Sequence, residues 1–170
     1  MVADISSLLI QYRAIEFGDF KLASGQHSSY YVDIKRAMTH PALLGAVGRI
    51  VSETFDFDCI AGVAVGGVPL AVAVSLASGK PYAIIRATEK DHGKAARVIG
   101  DVAGRHVLLI EDVTTSGGSA LYGVEELRRA GATVDRVVTV VDREQGAAPY
   151  LAEHGIELLS LARVSNLLKK

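Results

Sequence analysis

Two adjacent carboxylates, Glu111 and Asp112, stand at the end of an apolar run at 107–110 and are followed by Val113, Thr114, Thr115, Ser116, Gly117, Gly118 and Ser119. A buried strand, a tight polar loop and a helix start together bind anions. The backbone N–H groups of the glycine-rich turn converge on the ligand, and the positive end of the helix dipole favours it. Two negative charges beside a phosphate would repel it unless a cation or sugar hydroxyls come between them. The run therefore reads as a loop for a phosphorylated sugar. Amides of Thr114 to Gly118, with the hydroxyls of Thr114, Thr115 and Ser119, would hold the phosphate. Glu111 and Asp112 would take ribose hydroxyls, directly or through Mg²⁺, a hard cation that prefers oxygen ligands. A Walker A loop is excluded because Ser119 follows Gly118 with no lysine between them, and the GxGxxG dinucleotide spacing is absent from the run.

Three other segments carry candidate chemistry. Gly66 and Gly67 close a second apolar run ahead of a helical pattern. They suit a second anion site, and hence a ribose with phosphate groups at both ends, or else plain helix–strand packing through glycine. Arg143 lies just past another strand end, where its planar fork would match a carboxylate, with a surface salt bridge to Glu144 or Asp142 as the alternative. Near the N-terminus, Tyr30 and Tyr31 follow a turn at Ser24-Gly25 and offer either a flank for a flat base or hairpin packing.

The elements that must position these residues follow from periodicity. Ile5, Leu8, Leu9 and Tyr12 behind Asp4 predict an opening amphipathic helix, and residues 20–22 and 30–34 predict short strands. Pro41 opens a helix whose buried stripe is Leu43, Leu44, Val47, Ile50 and Val51. Strands are then expected at 59–65, 82–86, 106–113, 134–141 and 156–161, with helices at 68–78, 119–130 and 147–153. This alternation predicts an α/β fold, an open and mostly parallel twisted sheet flanked by helices, with ligands outside the carboxyl ends of the strands. Residues 87–105 lack apolar periodicity, and Glu89 to Lys94 are polar or glycine; a loop of this length is a lid over an anionic ligand or a solvated hairpin tip.

The 170 residues suit one domain with a full core, and 49% hydrophobic with 22% charged residues excludes disordered and membrane-spanning classes. A net charge of −1 predicts no nucleic-acid or anionic-membrane partner. The lone Cys59 excludes an intramolecular disulfide and reads as a buried thiol. The start has no basic n-region or apolar h-region, so a cytoplasmic location is expected.

The run from Glu111 to Ser119 resembles the 5-phosphoribosyl 1-diphosphate (PRPP) motif of type I phosphoribosyltransferases. With the Phe20–Tyr31 segment, the Gly66-Gly67 loop, Lys90-Asp91-His92-Gly93 and Asp142-Arg143 in order, nearly the whole chain is similar to the orotate phosphoribosyltransferase family. That resemblance implies transfer of phosphoribosyl from PRPP to orotate with Mg²⁺ held mainly by PRPP, in a homodimer. It also implies a small N-terminal hood over about residues 1–38 and a mobile loop over about 87–105. Arg86, Lys90 and His92 would contact the diphosphate end, Lys90 and His92 from the partner subunit. Glu111 to Ser119 would hold the ribose 5-phosphate, and Gly66 and Gly67 would join the PRPP site. Tyr31, Thr115 and Arg143 would bind orotate, and Lys90 and Asp112 would serve the chemistry. A purine phosphoribosyltransferase and a non-catalytic PRPP sensor are the rival readings. Ala23 and Ala87 stand where many bacterial members carry lysine, and Lys21 is a possible substitute for the first.

Overall fold

A computed structural model describes residues 5–21, 27–87 and 96–169. Helix α1 (Ile5–Gln11) packs Ile5, Leu8 and Leu9 inward, and a hairpin follows, β1 (Ile15–Lys21) antiparallel to β2 (His27–Val32). The expected cap Asp4 and the turn at Ser24-Gly25 lie outside the described residues, as does Ala23. Ile34, expected at a strand end, instead begins α2 (Ile34–Ala37). Asp33 caps this turn by accepting the Arg36 amide at 3.0 Å, which bends the chain out of its extended path. Pro41 opens α3 (Pro41–Thr54), where the missing N–H costs no helical bond.

The α/β unit then runs β3 (Cys59–Val63), α4 (Gly67–Ser78), β4 (Tyr82–Ile85), β5 (Val98–Ile99), β6 (Val107–Thr114), α5 (Gly118–Arg129), β7 (Arg136–Asp142), α6 (Ala147–Ala152), β8 (Glu157–Arg163) and α7 (Val164–Leu167). The six strands lie in the order β5-β4-β3-β6-β7-β8, parallel except for the edge pair β4/β5. Strand β5 falls inside the segment expected to be loop; two residues are too few to leave a periodic trace.

Continuous apolar strands are explained by cover on both faces. On one face Ile60, Leu108, Ile110, Val138 and Val140 pack with α1, α2, α3 and α4. On the other, Cys59, Ala61, Val107, Leu109 and Val137 pack with α5 and Leu151 of α6. Cys59 is fully buried, and desolvation pushes its thiol up to about 11, so it behaves as a small apolar side chain. The chain moves outward along the sheet from β3 to β4 and, on the other side, from β6 to β8. The border of β3 and β6 is thus the switch point, where the carboxyl ends open a crevice between diverging helices.

Candidate active site

Both glycine loops and the carboxylate pair meet at that switch point. After β6, residues 113–119 wrap a hollow of about 140 Å³ that is also lined by Glu111 and Ala120. Gly117 sits at φ +88°, a left-handed conformation that suits glycine, and there the strand turns into α5. The first helical bond runs from the Leu121 amide to the Gly117 carbonyl at 2.9 Å. The amides of Gly118, Ser119 and Ala120 precede it and have no helical partner, which is the anion-binding end of a helix.

Glu111 is 4% exposed and accepts the Ser119 hydroxyl at 2.8 Å. Desolvation raises its carboxyl to about 7, the Asp112 charge adding to the rise while Ser119 and Lys35 oppose it. Asp112, 5% exposed, folds back on its own strand, with Oδ1 accepting the Val113 amide at 2.9 Å. Its Oδ2 pairs with Lys35 Nζ at 2.8 Å, and this partner holds the lysine above its ordinary range. The carboxylate rests on Gly66, where a Cβ would stand 2.4 Å from Oδ2. Gly66 is thus required by contact with the acid of the neighbouring strand. Gly67 packs against β6, where a Cβ would lie 2.7 Å from the Ile110 carbonyl oxygen.

The hydroxyls divide in a way the spacing does not reveal. Thr114 Oγ1 is turned to Asp142 Oδ1 at 3.5 Å, and Ser119 serves Glu111. Among the described residues, only Thr115 of the three candidate hydroxyls is left without a side-chain partner. Thr114 and Ser119, expected to turn their hydroxyls to phosphate, here bond the acids Asp142 and Glu111.

Arg143 is placed beside the loop by the last rung of the β6/β7 ladder, its amide donating to the Thr114 carbonyl at 2.9 Å. Its Nε is buried with no hydrogen-bond partner. Neither of the alternative salt bridges, to Glu144 or to Asp142, forms. Asp142 Oδ1 accepts the Glu144 amide at 2.9 Å, and Glu144 Oε2 accepts the Ser165 amide at 2.8 Å at the start of α7. The bonds from Ser165 hold the Glu144 carboxyl below its usual range.

Arg86, at the end of β4, is tied to α5 through its carbonyl, which accepts the Tyr122 hydroxyl at 2.8 Å. Its amide donates to the Arg97 carbonyl at 2.9 Å, so the two ends of the long loop are joined. Lys90 and His92 lie outside the described residues. Tyr31 is 47% exposed and tilted against Phe20, their ring centroids 5.7 Å apart, whereas Tyr30 packs on the core. Lys35 is the residue that sequence reasoning missed. It belongs to no motif, and only the packing of α2 against β6 brings it to Asp112.

Residues 34–153 match the phosphoribosyl transferase domain family. Orotate phosphoribosyltransferase of Methanoculleus marisnigri is 64% identical over 168 residues, 99% of either chain. The solved orotate phosphoribosyltransferase of Aeropyrum pernix superposes with a TM-score of 0.84 at 32% identity, covering 97% of this chain and 96% of that one. The Mycobacterium tuberculosis H37Rv orotate phosphoribosyltransferase, solved in complex with PRPP, gives 0.80 at 30% identity, over 96% of this chain and 98% of its own.

Proposed function

This chain belongs to the orotate phosphoribosyltransferases, and we infer that it transfers phosphoribosyl from PRPP to orotate, giving orotidine 5′-phosphate and diphosphate in pyrimidine biosynthesis. The observation that carries the choice of acceptor is the buried, unpartnered Nε of Arg143 beside the phosphate loop. A buried guanidinium nitrogen without an acceptor is costly, and the carboxylate of orotate supplies one. An uncharged purine has ring-nitrogen acceptors but no carboxylate to match the guanidinium.

The site residues take their parts from that assignment. The N-terminal amides of α5 and the free hydroxyl of Thr115 hold the 5-phosphate end, with Thr115 and Tyr31 also lining the base. Gly66 and Gly67, ahead of α4, take the diphosphate end with Arg86. Substitution at ribose C1 develops positive charge on the sugar. Glu111 and Asp112 face that charge while fixing the ribose hydroxyls, so they orient and stabilise together. Orotate with N1 deprotonated is already a nucleophile, and no strong protein base is needed.

Mg²⁺ fits this donor set. Glu111 and Asp112 are hard oxygen donors, and Mg²⁺ completes its shell with substrate oxygens rather than with an all-protein cage. When bound, the ion neutralises charge on the leaving diphosphate. Lys90 and His92 would add positive charge there and exclude water, reaching over from a second copy of the chain. Support for a second copy comes from the apolar face of α3 and α4. Leu76 is 81% exposed there, beside Leu44, Pro69 and Val72. No described helix is long and apolar enough to cross a membrane, and a cytoplasmic location is part of this proposal.

The test is incubation with PRPP, Mg²⁺ and either orotate or purine bases. Loss of orotate absorbance only in the full mixture is expected. Turnover of a purine instead would overturn the choice of acceptor, and PRPP binding without turnover of any base would make the protein a sensor.

A further inference from the structure

We infer that Lys35 is a diphosphate-binding residue held ready by Asp112: it neutralises that carboxylate until ribose hydroxyls take its place, then turns to the diphosphate of PRPP. This rests on the reading of Asp112 as a ribose holder.

Oδ1 of Asp112 already accepts the Val113 amide, and Oδ2 is the oxygen that Lys35 Nζ holds at 2.8 Å; a ribose hydroxyl that donates to Oδ2 takes the lysine's position. Substrate and lysine compete for the same atom. The exchange is inexpensive on the lysine's side, because the Lys35 side chain is 59% exposed and its ammonium meets water on leaving. It is constrained on the other side, because Asp112 is 7% exposed by side chain and pressed against Gly66, with little room to swing away.

A displaced ammonium goes to the nearest negative charge. Lys35 lines one hollow with Val65 and Gly66, the loop ahead of α4 assigned to the diphosphate, and with Pro69 in the first turn of α4. Its base does not have to move for this. Asp33 caps α2, and Ile34 and Ala37 on either side of Lys35 are buried in the core, so only the flexible stem swings. Lysine suits such a task, being a point charge on a four-carbon stem with three rotatable donors.

Calorimetric titration of inorganic diphosphate with Mg²⁺ into protein saturated with ribose 5-phosphate, and separately of ribose 5-phosphate alone, decides the matter on the wild type and on Lys35→Met, Lys35→Arg and Asp112→Asn. Lys35→Met should weaken diphosphate binding about tenfold and raise KM for PRPP similarly, with KM for orotate and ribose 5-phosphate affinity within about twofold. Lys35→Arg should recover most of the loss, which a purely structural role would not require. Unchanged diphosphate affinity in Lys35→Met, in a protein with the wild-type melting temperature, overturns the inference. So does a loss confined to ribose 5-phosphate, which would mean that Lys35 acts only through Asp112. Asp112→Asn should weaken ribose 5-phosphate about tenfold. If it does not, the ribose reading of Asp112 has failed, and with it the exchange; that arm is scored independently of the diphosphate arm.

Discussion

Glu111→Gln should stabilise the protein while weakening its hold on PRPP, and the gain should depend on pH. Burial lifts the Glu111 carboxyl from 4.5 to about 7. A carboxyl whose folded pKa exceeds its unfolded value binds more protons folded than unfolded between the two. Its favourable contribution is therefore complete below about pH 4.5 and is lost as pH rises to about 7 and beyond. At 1.36 kcal/mol per unit, the ionised carboxylate costs about 2 kcal/mol at pH 6 and about 3 kcal/mol above pH 8. Glutamine cannot ionise and keeps an oxygen for the Ser119 hydroxyl, so the penalty is absent in the variant.

Urea unfolding across the range from about pH 4 to about pH 8.5 measures this, reading the difference between variant and wild type so that other titrating groups cancel. The gap should widen by about 3 kcal/mol, most steeply between about pH 5 and 7. A gap constant within about 0.5 kcal/mol would refute the claim that this carboxylate is ionised against its surroundings. In the wild type, KM for PRPP should rise as pH falls below about 7, because a protonated Glu111 is a poorer acceptor for ribose hydroxyls.

Arg143→Ala should raise KM for orotate by about 30-fold or more, the low end for losing one partner of a buried charge pair, and leave KM for PRPP within about twofold. Arg143→Lys should recover little, since the point charge lacks the planar fork. Gly66→Ala forces a Cβ to 2.4 Å from Asp112 Oδ2, and should destabilise by about 1–3 kcal/mol in thermal unfolding and raise KM for PRPP about tenfold. Lys90→Ala should lower kcat far more than it changes orotate affinity in steady-state assays, and unchanged turnover would remove that residue from the mechanism.

The fold was legible where burial on two faces leaves continuous apolar runs. Cys59 to Val63 and Val107 to Ile110 read as strands directly, and the alternation with helices implied the sheet. Positions whose conformation is decided by one local bond were not legible, such as Ile34, drawn into a helical turn by the Asp33 cap. The phosphate loop and carboxylates announced themselves because their chemistry is local in sequence. The fate of each hydroxyl did not, because Thr114 and Ser119 choose partners across the sheet and across the loop. Lys35 was hidden for the same reason: its partner is 77 positions away, and no spacing rule links a single helical turn to a central strand.

The charges at this site form an alternating series, and each member is set against its own surroundings. Arg143 carries a buried nitrogen with no acceptor, Glu111 is ionised near neutrality only against desolvation, and Asp112 is wedged on Gly66 with a borrowed counter-ion. A chain optimised for stability alone would remove all three. The acceptor's carboxylate, the cationic ribose of the transition state and the phosphates on either side present the complementary series, minus, plus, minus. Each feature that costs the free protein is relieved by a different part of the substrate pair, and the ribose carboxylates are relieved most when C1 becomes cationic. Binding energy that appears only at that moment lowers the barrier rather than KM. The exposed lysine at Asp112 fits the same logic, since an easily displaced counter-ion lets the carboxylate stay charged without being permanently neutralised.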